Sequence, residues 1–171
     1  MGERSERGFT LVELMAVMAL GVVLLTLSAS ALRDYSRGKA LAGARDMVVT
    51  QLRHAQQRTL SEGYPRAYGI RFLEGRQSWD LVRYDASTDT CVVVEQHTLA
   101  GALTISPDTA FPDSTAESRC ATAAPYVPAV TYETAFFYAR GTATAGTAKI
   151  LLEGSTKTRT VTVNAATGRV S

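Results

Sequence analysis

Residues 7–32 of the chain read RGFTLVELMAVMALGVVLLTLSASAL. From Phe9 to Leu32 every position is apolar or small, apart from a few Thr and Ser and one carboxylate, Glu13. That span is 24 residues, enough for a helix to cross the hydrocarbon core of a bilayer. No charged residue follows Glu13 until Arg33. A secretory signal peptide has a shorter apolar run before its small-residue cleavage site. The small residues are present in SASAL at 28–32, but the run before them is too long. Basic residues do not orient the span, because Arg4 and Arg7 precede it and Arg33, Arg37, Lys39 and Arg45 follow closely.

A carboxylate within hydrocarbon costs a few kcal/mol even on lenient insertion scales. The residues one helical turn from Glu13 are Phe9 and Val17, which offer no counter-charge. Either the group is neutral or its partner comes from another chain. Cleavage between Gly8 and Phe9 would create such a partner. The new α-amine at Phe9 would be charged at neutral pH, since such amines titrate near ~8. It could pair with Glu13 of a neighbouring copy displaced by one step. Gly8 has no side chain to obstruct a protease at that bond.

GFTLVELM, residues 8–15, resembles the processing signature of type IV pilins and of the pseudopilins of type II secretion: Gly, Phe or a similar residue, then Thr-Leu-x-Glu. The resemblance implies cleavage after Gly8 by an inner-membrane prepilin peptidase and N-methylation of Phe9. It implies assembly of the apolar helices into a filament core, with Glu13 in subunit registry. It implies a single-pass protein of the bacterial inner membrane, in contact with lipid before assembly, whose C-terminal domain is periplasmic or extracytoplasmic. The partners implied are other pilin or pseudopilin subunits, the peptidase and the assembly platform. The expected organisation is a leader at 1–8, a transmembrane and filament-core helix at 9–32, and a soluble pilin-like domain at 33–171.

Beyond Leu32, Leu41, Ala44, Val48, Leu52, Ala55 and Thr59 recur at steps of three or four, while Lys39, Asp46, Arg53 and Arg58 fall elsewhere. That spacing predicts an amphipathic helix continuing from the apolar segment. Gly38 and Gly43 are points where it could bend. Gly63 and Pro65 should end it near Ser61. Strands are expected at Ala67–Phe72 and Ser78–Tyr84, joined as a hairpin through Gly75, and at Cys91–Gln96. Others are expected at Ala135–Tyr138, Lys149–Leu152 and Thr158–Val163, with Gly154 and Ser155 in the last turn. In Thr158–Val163, Val161 and Val163 alternate with threonines, as in a sheet with one face on a core. Residues 106–130, rich in Pro, Ala, Ser and Asp, read as a long surface loop. The fold class is therefore α+β, a long N-terminal helix packed on an antiparallel sheet.

Two further segments narrow the resemblance. LRHAQQRTLSEGYPRAYGIRF, 52–72, is similar to the helix-to-strand passage of the H-type pseudopilins and the FimT/FimU minor pilins. The ending, from FFYARG at 136 to TGRVS, resembles their C-terminal block. Residues 85–134 match neither. The resemblance implies a minor pilin or pseudopilin that helps start or cap a filament. A self-assembling major pilin is an alternative, opposed by this ending and by the lack of Pro in the apolar segment.

Charge is distributed in thirds. Residues 33–83 hold ten Lys/Arg against five Asp/Glu, residues 84–139 one against seven, and residues 140–171 five against one. Such a pattern suits a solvated surface, complementary faces between stacked copies, or a basic patch for a polyanion. The last possibility meets a second resemblance. Some FimT-like minor pilins bind DNA through a C-terminal Gly-Arg-x-Arg signature, and Gly168 and Arg169 match its first half. Arg140, Lys149, Lys157 and Arg159 could supplement Arg169, with phosphate contacts that weaken steeply with salt.

Cys91 and Cys120 are the only cysteines, and neither forms a CxxC pair or a ligand cluster with His54 and His97. Outside the cytoplasm one disulfide is the natural reading; two buried thiols are the other. No metal or other cofactor is expected. In DASTDTC, 85–91, acidic and hydroxyl residues alternate like the start of a calcium loop, but Thr90 and Gln96 stand where an EF-hand needs Gly and Glu. There is no nucleophile elbow or phosphate loop, and an enzymatic role is not expected. Trp79 and the tyrosines read as core or strand residues.

Overall fold

The computed structural model describes residues 10–109, 111, 115–125, 132–152 and 156–171. The chain divides into a unit of residues 1–38 and a unit of residues 39–171, with helix α1 (Leu11–Glu62) running through the boundary. Gly38 and Gly43 do not interrupt it.

In the first unit, Thr10 caps the helix. Its Oγ1 accepts the Glu13 N–H at 3.3 Å, satisfying one of the donors a helix N-terminus leaves unpaired. The large apolar side chains from Leu11 to Leu25 are 54–75% exposed. Just beyond it two hydroxyls bond back into the helix, Thr26 to the Val23 carbonyl and Ser28 to the Leu24 carbonyl, both at 2.8 Å. These hydroxyls therefore need no water.

The second unit has its own core. All six residues of the expected helix face, Leu41 through Thr59, are buried. Thr59 also ties the helix to the first strand. Its hydroxyl donates to the Ala55 carbonyl and accepts the Tyr68 N–H at 2.9 Å. Gly63, at φ +66°, turns the chain into β1 (Arg66–Leu73). Gly75, at φ +67°, makes the turn to β2 (Ser78–Asp85), and β3 (Thr90–Thr98) comes next. Each of these expected strands is one to three residues longer than the sequence suggests.

Residues 106–130 are not one surface loop. They include most of β4 (Leu103–Thr109) and the short helix α2 (Thr115–Ala121). Phe111, Ala116 and Cys120 are buried. Phe111 stacks on Phe72, with ring centroids 6.0 Å apart. It lies against Gly146, where any side chain would collide with its ring. β5 (Tyr132–Phe137), β6 (Gly146–Leu152) and β7 (Thr158–Val163) complete the fold. The turn expected at Gly154 and Ser155 lies outside the described residues.

The fold is α+β, with α1 packed on antiparallel strands as expected; the strands are divided between two sheets. One has the order β3-β2-β1-β5, the other β4-β6-β7. Side chains alternate between the faces of a strand. Ile70, Phe72, Trp79 and Leu81 join the α1 face and the second sheet in one cluster. From the opposite face, Ala67, Val82 and Phe136 join α2 through Ala116 and Cys120. The first sheet is thus a middle layer, and seven of the eight residues of β1 are buried. Val161 and Val163 point inward as their alternation indicates.

Arg71 is fully buried in the centre of β1, opposite Asp80. Its Nε and Nη2 reach Asp80 Oδ2 at 3.0 and 2.5 Å. Its other donors go to main-chain carbonyls: Cys120 at 2.7 Å, Ala123 at 2.9 Å and Pro125 at 3.1 Å. Tyr132 covers the guanidinium, its ring centroid 4.7 Å from Cζ. Gln96 donates to the second Asp80 oxygen at 3.2 Å.

Removing one partner of such a pair strands a buried charge. Arg71→Leu or Asp80→Leu should each destabilise the domain by about 3–5 kcal/mol. The double variant should recover part of that loss, but not the carbonyl bonds to α2 and the residues after it. Urea unfolding of the four proteins measures this, and additive losses in the double variant would contradict it.

Candidate functional site

Two places qualify: the first turns of α1, and the surface around the C-terminal strands. Glu13 lies at the third position of α1, where a negative charge favours the helix N-terminus. Thr10, Glu13 and the apolar residues after them have the form of a capping box, Thr-x-x-Glu. That signal is present in the sequence, and treating Glu13 as a lone carboxylate misses it. The cap observed uses only the backbone N–H of residue 13, so the carboxylate is exposed and, among the described residues, has no hydrogen-bond or ion-pair partner. Gly8 and Phe9, the residues of the expected cleavage and methylation, lie outside the described residues. The apolar stretch of α1 is unburied throughout. The helix is long and apolar enough to anchor the protein in a membrane.

The five basic residues considered for DNA do not gather. Gly168 lies against the Gly141 carbonyl and Asn164 folds the 164–167 turn, its Oδ1 accepting from the Ala166 and Thr167 N–H groups and the Thr167 hydroxyl. This brings the turn of Arg140 beside that of Arg169. Val170, buried, bridges to Val163, which explains the Thr-Gly-Arg-Val ending as a turn and then an anchor. Lys157 and Arg159 lie at the other end of the β6–β7 hairpin, roughly 20 Å away at strand spacing. Lys149 pairs with Thr160 and Ile150 with Arg159, so Lys149 and Arg159 are on opposite faces of their sheet.

Cys91 and Cys120 form a disulfide, with Cα atoms 5.1 Å apart. It fastens α2 to the edge strand β3. An ion pair between Arg119 and Asp89 lies beside it. The Arg119 guanidinium and then the Tyr84 hydroxyl hold the Asp89 carboxyl below its ordinary range. No group of metal-binding side chains occurs among the described residues. Trp79 and Tyr68 are core residues as expected, whereas Tyr64 is 83% exposed.

Known proteins resemble the N-terminal segment in sequence and most of the chain in fold. Residues 4–29 match the family model of the prokaryotic N-terminal methylation motif. The minor pseudopilin EpsH of the Vibrio cholerae type 2 secretion system superposes with a TM-score of 0.55 at 12% identity, over 77% of this chain and 94% of that one. The chain shares the pilin-like α+β fold of that structure. A second EpsH structure gives a TM-score of 0.55 at 14% identity, over 78% and 92% of the two chains. The type IV minor pilin FimU of Pseudomonas aeruginosa gives 0.52 at 19% identity, over 80% and 90%. No curated protein matches the chain.

Two tethers of α2 can be tested separately. The disulfide closes a loop with a sequence separation of 29 residues. Such a closure is worth about 3–4 kcal/mol in the chain-entropy model. Cys91→Ser/Cys120→Ser should lower stability by about that much. Intact mass of the unreduced wild type should be two hydrogens below the thiol form. Asp89, its folded pKa depressed, contributes stability above the ordinary carboxylate pKa and loses it as pH falls through the folded value. Asp89→Asn should therefore be less stable than wild type at neutral pH and indistinguishable in strong acid. A difference that persists in acid would remove the ion pair as its cause.

Proposed function

We propose that the chain is a minor pilin or pseudopilin, a structural, non-enzymatic subunit of a type II secretion pseudopilus or a type IV pilus. The observation that carries this reading is the join of a methylation-motif helix, apolar and uncovered, to a domain with the pilin-like α+β fold. Before assembly the helix anchors the protein in the inner membrane. Prepilin peptidase cuts after Gly8 and Phe9 is methylated. The helix then leaves lipid for a bundle of like helices on the assembly platform.

Glu13 steers this step. In lipid its carboxylate has no partner on its own helix, and in the bundle the Phe9 amine of a neighbour supplies one. Cleavage must come first, because that amine does not exist until the bond after Gly8 is broken. A DNA-binding role would have to draw on Arg140 and Arg169 at one end of the β6–β7 hairpin and on Lys157 and Arg159 at the other.

The test exploits the cap. Thr10 needs only a backbone N–H at residue 13, so Glu13→Gln preserves helix initiation and removes the charge. Loss of a charge-assisted bond of about 1.5–3 kcal/mol should reduce incorporation into filaments by about tenfold or more. Membrane insertion should be unchanged. Normal co-purification of Glu13→Gln and Glu13→Leu with partner subunits would sink the registry role. Gly8→Val should accumulate with its leader attached. N-terminal sequencing that starts at Phe9 in that variant would show that the bond is not chosen in this way.

A further inference from the structure

On the α2 side of the first sheet, three strands place a small residue between two large rings. Ala67 of β1 pairs with Tyr84 of β2. Tyr138 extends β5 one residue past Phe137, the partner of Tyr68, and so lies on the other side of Ala67. Alternate strands of a sheet stand about 10 Å apart, and carbon atoms in contact need about 3.5–4 Å. Two tyrosines flanking an alanine therefore leave a slot for one flat or branched side chain. A cavity of about 500 Å³ occupies this place, and Tyr64, Arg66 and Arg140 line it together with these three residues.

The rim has a definite charge pattern. Arg66 is engaged by Glu62 at 3.0 Å and Asp85 at 3.8 Å. The Tyr84 hydroxyl donates to Asp89 at 2.9 Å. Arg140 is exposed and, among the described residues, has no acidic partner; the hydroxyls of Tyr64 and Tyr138 have no hydrogen-bond partner there either. The slot thus offers an apolar interior and one uncommitted cation. A polyanion is disfavoured, because the lining residues Arg66 and Tyr84 hold Glu62, Asp85 and Asp89 next to the cavity. A single carboxylate next to an aromatic or branched apolar side chain fits both features.

We propose that the Tyr84–Ala67–Tyr138 slot is a docking site for a protein segment in which an aromatic or branched apolar residue is followed by Asp or Glu, the side chain entering the slot and the carboxylate meeting Arg140. The source of the segment is another subunit of the same assembly. That source rests on the subunit reading above; the chemistry of the slot does not.

The experiment is a fluorescence-polarisation titration of full-length protein in detergent micelles with tagged Gly-Phe-Glu-Gly and Gly-Phe-Lys-Gly peptides. The Glu peptide should bind about tenfold more tightly, the size expected for one charge-assisted bond. Arg140→Gln should erase the preference and Arg140→Glu invert it. Ala67→Leu, which fills the slot, should abolish binding of both; Tyr138→Ala, which opens it, should weaken both without changing the preference. Equal binding of the two peptides, no measurable binding of either, or a preference indifferent to Arg140 would overturn the proposal. So would tighter binding of an oligothymidylate that competes for the slot. If the peptide results hold while Glu13 variants assemble normally, the slot stands and the subunit reading falls. The reverse pair of outcomes separates them the other way.

Discussion

The guanidinium of Arg71 organises the unit of residues 39–171. It is fully enclosed, and it is tolerable there because Asp80 neutralises it and five donor contacts satisfy it. A charge buried this way carries little net stability compared with a well-packed apolar pair. What it imposes is position. The two strands must align Arg71 with Asp80, and the chain from Cys120 to Pro125 must return to this one place on the sheet. The disulfide and the Arg119–Asp89 pair then fasten a segment whose end is already located. Without that fixed point, a stretch of small and polar residues would have little apolar surface to hold it.

Helix α1 carries two different side-chain patterns in one element. From Leu11 to Leu25 it is apolar on all sides apart from Glu13, a pattern suited to hydrocarbon. From Leu41 to Thr59 only one face is apolar, as a helix must be when it packs on a sheet and meets water elsewhere. Charged residues resume at Arg33, and the boundary between the compact units falls at Gly38. The change from one pattern to the other therefore occupies only a few turns.

Much of this was legible in the sequence for simple reasons. A period of three to four marked Leu41 through Thr59, and alternation marked Val161 and Val163. Gly63 and Gly75 punctuated the elements they end. β4 was harder: Leu103 and Ile105 alternate, but Pro107 obscures the strand, a residue tolerated where a ladder bond is not required. α2 is too short for a periodic pattern, and its buried residues, Ala116 and Cys120, are small. The division into two sheets depends on pairing Leu103 with Leu152, a contact that no local pattern encodes. Arg71 left a trace that could have been followed. A charged residue inside GIRFL, with an acid inside WDLV on the next strand, is the mark of a buried pair. At the candidate site Glu13 was evident from its chemistry. The basic residues were evident only as a count, since their dispersal depends on the β6–β7 hairpin.

The contacts of Arg71 with the returning chain are all to carbonyl oxygens, those of residues 120, 123 and 125. Every amino acid has that oxygen, so the clamp is blind to the side chains it holds. Substitutions across this segment can leave the anchorage intact provided the backbone path is kept. The surface beyond the clamp is thereby free to diverge while the sheet beneath it stays constant. A fold with such an anchor can acquire new recognition surfaces without redesigning its core.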